Sequence, residues 1–173
     1  FTAQHPFSIN NNGDIIIIKQ NHAETITGVG GITADVAGIT IIGMGTYNQR
    51  PRFLMDGGTT VTFVVSAADV TVRNCVFASG HADVVTCFDV TGVGCWIDHC
   101  EFTENTTDED WLVCVKASST ANTADHLRVT NCRWLQASTS GTEFVELIDD
   151  CHGLEISNNF IVHEGTAGVI IQS

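Results

Sequence analysis

The stretch "VTVRNCVFASG" (residues 70–80) returns as "CWIDHCEFTEN" (95–105), "LRVTNCRWLQA" (127–137) and "LEISNNFIVHE" (154–164). Within each copy the apolar residues alternate: Val70 and Val72, Cys95 and Ile97, Leu127 and Val129, Leu154 and Ile156. Thr71 and Arg73, Trp96 and Asp98, Arg128 and Thr130, Glu155 and Ser157 lie between them and are expected to face outward. A period of two over short runs rich in β-branched residues predicts strands.

Matching the apolar residue that opens each unit makes Ile39, Val70, Cys95, Leu127 and Leu154 equivalent, at spacings of 31, 25, 32 and 27 residues. Periods of this size, uneven in length, predict coils of a solenoid joined by variable loops, because one coil can bury its apolar face only against its neighbours. A further strand precedes each unit, at 61–67, 86–92, 113–119 and 145–150. Phe63, Phe88 and Leu147 each stand seven residues before an anchor and are expected to share one register, which "SSTANTADH" (118–126) interrupts as a polar loop. No helix-period segment is present. The sequence predicts one all-β domain over 1–173, with 1–12 as a lead-in and 13–173 as about five stacked coils.

The units "VTVRNCVF", "LRVTNCRW" and "LEISNNF" resemble coils of right-handed parallel β-helix proteins of the pectin-lyase-like kind. The opening "GDIIIIKQNHAETIT…VAGITIIGMG" resembles the first coil of such proteins, particularly those of tailed-phage virions. The resemblance implies a right-handed, single-stranded parallel β-helix.

Two ladders need a chemical or structural reading. Asn74, His99, Asn131 and Asn158 recur just before Cys75, Cys100 and Cys132. A strand ending in a sharp corner strands backbone groups that must be satisfied, so an inward Asn amide bonding its own corner and the next coil is the expected arrangement. Metal binding needs several ligands converging at about 2.0–2.3 Å, whereas a ladder spreads equal side chains along an axis. Stacked Cys side chains with parallel Cβ vectors also fit the usual disulfide torsion poorly. The seven cysteines contain no CxxC pair, and most are read as small buried hydrophobes of a chain made in a reducing cytoplasm. Cys87 and Cys114 are expected to form a second such pair. Phe77, Phe102 and Trp134 are expected to stack under the turn, with Phe160 one residue early marking a local shift. Trp96 and Trp111 are expected to be exposed and available to a ligand or a partner chain.

The composition restricts partners. Twenty acidic residues against seven basic ones give a net charge of −13, which repels nucleic acid and anionic membrane surfaces at long range. No apolar run reaches the ~18 residues of a membrane span, and no signal peptide is apparent at the start. The chain lacks an initiator Met, so it is expected to be processed or part of something longer. The final "GVIIQS" reads as an uncapped strand, which the chain beyond 173 or another chain is expected to cover.

Many β-helix proteins cleave polysaccharides, and glycoside hydrolysis requires a pair of carboxyl groups ~5–9.5 Å apart. "ELIDDCHG" (146–153) supplies the best catalytic candidates, Glu146, Asp149, Asp150 and His152. It resembles the paired aspartates and His of polygalacturonase-like enzymes, but the Gly-His-Gly and Arg-x-Lys elements of that family are missing. The leading expectation is therefore a non-enzymatic virion structural protein of a tailed phage, homotrimeric and in contact with other virion proteins, with no cofactor and no metal. The alternatives are a polysaccharide lyase or hydrolase of the tailspike kind and a carbohydrate-binding adhesin module, extracellular and in contact with a cell-surface glycan.

Overall fold

The structure, a computed structural model, describes residues 11–28, 31–117, 120 and 123–164. Strands such as β4 and β5 alternate between buried and half-buried residues as expected, and the strand pairings are parallel. The first sheet stacks β1 (Ile15–Ile18), β4 (Thr40–Gly43), β7 (Thr71–Arg73), β10 (Trp96–Asp98), β13 (Arg128–Thr130) and β16 (Glu155–Ser157). The second stacks β2 (Ala23–Ile26), β5 (Arg52–Met55), β8 (Val76–Ser79), β11 (Glu101–Glu104), β14 (Arg133–Gln136) and β17 (Phe160–His163). The third stacks β3 (Ile32–Ala34), β6 (Phe63–Val65), β9 (Val84–Val90), β12 (Trp111–Ala117) and β15 (Glu143–Leu147). Three parallel sheets visited in turn make a parallel β-helix of about five turns.

The repeat alignment holds in the first sheet, where Thr40, Thr71, Trp96, Arg128 and Glu155 are register partners, which brings the five anchors before them into line. One inward column runs through Ile16, Ile41, Val72, Ile97, Val129 and Ile156. In the second sheet the inward column is Phe53, Phe77, Phe102 and Trp134, all nearly or fully buried. Phe77 stacks on Phe53 at 5.6 Å and meets Phe88 of the third sheet edge-on at 4.8 Å. This is the core.

Two register expectations are corrected. Ile161 is the partner of Trp134, so the last coil is not shifted. Phe160 faces outward because it pairs with Arg133, whose guanidinium lies 5.8 Å from its ring. Leu147 does not share a register with Phe63 and Phe88: that column continues through Val115 to Val145. The segment after β15 is longer, and a constant offset from the anchor therefore lands two residues late.

The corners flanking the first sheet are made by backbone in the left-handed region. On one side, Gly13, Gly38, Asp69, Gly94, His126 and Gly153 all have positive φ, each two residues before a strand of the first sheet. On the other side, Asn74, His99, Asn131 and Asn158 have φ of 58°, 52°, 55° and 56°. Asn is among the few non-Gly residues that tolerate this conformation. The expectation of inward amides is thus corrected: Asn74 and Asn131 are half-buried at the outside of the corner, and His99 and Asn158 are exposed. The following Cys75, Cys100 and Cys132 turn inward and are fully buried.

The cysteines pair with nothing covalently. Cys132 Sγ lies 3.2 Å from the carbonyl of Thr130, and Cys100 Sγ lies 3.5 Å from that of Asp98. Asn159 fills the slot in the last coil, accepting from the Cys132 N–H at 2.8 Å and donating to the Val129 carbonyl at 2.9 Å. Cys87 and Cys114 fall side by side in the third sheet, between the pairs Thr86–Val113 and Phe88–Val115. Residues 1–10 of the expected lead-in and the terminal "GVIIQS" lie outside the described residues.

Candidate corner site

The corner between the first and second sheets carries a dense polar network. Asp98 is placed outward by its strand, as expected, yet is only 1% exposed. Its Oδ1 accepts from Thr130 Oγ1 at 2.9 Å and Asn131 Nδ2 at 2.8 Å. Its Oδ2 accepts from Arg73 Nε at 3.0 Å and His99 Nδ1 at 2.8 Å. Arg73, Asp98 and Asn131 belong to three successive coils, so this one carboxylate ties three rungs together. Burial alone would raise its pKa. The hydrogen bonds from Asn131, His99 and Thr130, with the His99 charge, outweigh burial and hold it below the ordinary carboxylate value.

The second coil departs furthest from the others at this corner. Ile42 aligns with Arg73 and Arg52 with Val76, so the two residues Asn74 and Cys75 correspond to Gly43 and Pro51 with 44–50 inserted between them. Gly43 is required there, because a Cβ would stand 2.3 Å from the Asn74 carbonyl oxygen. Asn74 Nδ2 anchors the base of the insertion by donating to the carbonyls of Gly43 at 2.7 Å and Gly45 at 3.0 Å. At its tip Tyr47–Gln49 forms a 3-10 turn, with Tyr47 at φ 49° and 82% exposed. Arg50 reaches from the insertion across the ladder, donating to Glu101 Oε2 at 2.6 Å and to the His99 carbonyl at 3.4 Å. Arg133 Nη1 donates to the same Glu101 oxygen at 3.2 Å.

Between the insertion and the ladder lies an open groove of about 290 Å³ lined by Tyr47, Arg50, Asn74, His99, Asn131 and Arg133. On the far side of Arg50 is a second basin of about 280 Å³, which Tyr47, Arg52, Glu101 and Glu104 share. Sequence reasoning identified the ladder but missed the groove. Its signal was the extra "MGTYNQR" (44–50), which breaks the repeat.

The catalytic candidates sit elsewhere. Glu146 is on the outer side of the third sheet, partnered in register with Lys116, and burial together with the neighbouring Glu143 raises its pKa. Asp149 and Asp150 are exposed in the turn that follows, where Asp149 Oδ1 accepts the Asp150 N–H at 2.8 Å. His152 pairs with Asp125 of the preceding coil, Nδ1 to Oδ1 at 3.4 Å, rather than with either aspartate. No hydrogen bond or ion pair joins these four side chains to one another among the described residues.

The tryptophan expectation is half corrected. Trp111 is fully buried, because it opens the third-sheet strand in register with Val84, and its Nε1 donates to the Thr103 carbonyl at 3.1 Å. Trp96 is half-buried, with the Arg128 guanidinium 4.3 Å from its ring and its Nε1 donating to Thr130 Oγ1 at 2.8 Å.

Compared with protein-family models, with curated proteins and with solved structures, the chain matches none.

Proposed function

We propose that this chain is a non-enzymatic structural β-helix of a tailed-phage virion, serving as a head decoration, fibre or spike segment and assembling as a homotrimer with other virion proteins. The observation that carries the reading is the use made of the repeated polar residues. Asn74, His99 and Asn131 stand at the left-handed corners and bind the protein's own groups: Asn74 the carbonyls of Gly43 and Gly45, His99 and Asn131 the carboxylate of Asp98. Residues that repeat coil after coil and satisfy the coil next to them build a stiff rod. The resemblance of the opening coil to β-helix proteins of phage particles supports the location.

The test is mass spectrometry of purified particles from the source that encodes this chain. A fixed copy number, a multiple of three, is the expected result. Absence from particles, or release of oligosaccharides when the purified chain is incubated with host surface glycans, overturns it.

A further inference from the structure

We propose that the groove beneath the 44–50 insertion binds a neutral, polyhydroxylated ligand, a stretch of linear glycan laid along the axis of the β-helix, with Tyr47 covering one sugar ring. This site does not depend on where the protein resides, so the outcome of the particle experiment leaves it standing or falling on its own test.

The charge state of the groove selects the ligand. Four of the seven basic side chains gather at this corner, Arg50, Arg52, Arg73 and Arg133, which at first suggests an anion site. Three of these four meet a carboxylate of the protein itself. Arg50 and Arg133 converge on Glu101, and Arg73 joins His99 on Asp98. Arg50 has further bonds from Nε to the Tyr47 carbonyl at 3.1 Å and from Nη1 to the His99 carbonyl. An anionic ligand would have to displace these carboxylates, and the negative charge of the whole chain opposes its approach.

What remains open is of another kind. Among the described residues, no donor is bonded to the side-chain oxygens of Asn74 or Asn131, because the anchoring bonds of both run through Nδ2. His99 is held through Nδ1, leaving Nε2 free to donate or accept. These groups come from successive coils and so recur at about 4.8 Å, the strand spacing. A row of acceptors and one amphoteric ring matches sugar hydroxyls, which both donate and accept. The one charge that this row can carry, on His99, already faces the Asp98 carboxylate.

Tyr47 supplies the apolar wall. A bulky residue at φ 49° is a backbone outlier, of the sort that persists where surrounding contacts enforce it. Here the enforcing contacts are the Arg50 N–H at 3.3 Å and the Arg50 Nε at 3.1 Å, both on the Tyr47 carbonyl. Strain of this type buries nothing: the ring is held out over the two basins, an amphipathic surface of the kind that packs on a ligand.

The chain contains a single tyrosine, so uniform 3-fluorotyrosine labelling gives one ¹⁹F resonance that reports on this residue alone. Titrating the full chain with neutral linear hexasaccharides of glucose, mannose and xylose, beside oligogalacturonate, tests the proposal. The expected result is a saturable ¹⁹F shift with at least one neutral oligosaccharide and none with oligogalacturonate. By calorimetry, Tyr47→Ala weakens that binding by about tenfold, while Val85→Ala on the third sheet does not. Binding of the acidic oligosaccharide alone, neutral binding that leaves the resonance unmoved or survives Tyr47→Ala, or no binding across the panel overturns the proposal. Should Tyr47→Ala fail to fold, the resonance of the unsubstituted chain decides.

Discussion

Asn131 Nδ2 donates to Asp98 Oδ1 at 2.8 Å across the gap between one coil and the next. Both residues flank the same corner, and the bond converts a repeated turn residue into a staple between rungs. Asp98→Ala removes the acceptor for Asn131, Thr130, Arg73 and His99 together. Arg73 and His99 are about half exposed and can return to water, so only part of the network's loss is felt. The expected destabilisation is about 1–3 kcal/mol, read as a fall in the urea midpoint at unchanged slope.

Acid sensitivity follows from the same carboxylate. Its folded pKa lies below the ordinary value because the hydrogen bonds and the His99 charge overcome the effect of burial. A depressed carboxylate contributes stability that is complete above its unfolded pKa of about 3.9 and disappears as pH falls through the folded value. Urea midpoints measured from pH 6 to pH 2 should therefore drop steeply below about pH 4, and Asp98→Asn should flatten that drop. An equal slope in both proteins would show that another group carries it.

Glu146 runs in the opposite direction. Burial and the Glu143 charge raise its pKa, so its protonated form suits the folded state. Its relative contribution is greatest below the unfolded pKa of about 4.3 and is lost as pH rises through the folded value. Glu146→Gln should raise the melting temperature at pH 7 and leave it unchanged at pH 3, as followed by circular dichroism.

The thiols give a test of packing. Cys75, Cys87, Cys95, Cys100, Cys114 and Cys132 are buried, and Cys151 is intermediate. Burial pushes the Cys95 thiol up to about 11 and the Cys100 thiol up to about 12. Since the thiolate is the reactive form, an aromatic disulfide reagent at pH 8 should label Cys151 in the native protein. The other six should react only after denaturation, with peptide mapping identifying the sites.

Corner backbone can be probed without touching the network. Gly94 has φ 73°, and a Cβ there would lie 2.4 Å from Asp69 Oδ1. Gly94→Ala should cost about 1–2 kcal/mol from the left-handed conformation, with any displacement of Asp69 in addition. Asn158→Gly, at φ 56°, should be tolerated because glycine enters that region freely. Chemical denaturation of the two variants side by side measures both.

Much of the fold was legible because a solenoid writes its register into the chain. Ile39, Val70, Cys95, Leu127 and Leu154 could be aligned by eye, since a period of two and a recurring turn leave few alternatives. The left-handed ladder Gly13, Gly38, Asp69, Gly94, His126 and Gly153 was also present as a glycine or polar residue before every first-sheet strand, but its variety hid it. Leu147 was misplaced because counting back from the anchor assumes connections of constant length, and the segment after β15 is two residues longer; Phe160 was misplaced because the aromatic residue was matched to the column that Ile161 continues. Trp111 was misread as exposed because its acidic neighbours dominate the local sequence, whereas its side-chain direction is set by pairing with Val84.

By itself, the sequence determined that this is a stack of parallel β coils with an inward apolar column, because alternation and repetition are local and periodic properties of the chain. Only the tertiary structure decided what lies outside that column. Asp98 became a buried hub, and Tyr47, Arg50, His99 and Arg133 met around one groove. Those residues are separated by up to 86 positions in the chain, and stacking, which brings distant residues to the strand spacing, is the interaction that a linear reading contains no measure of.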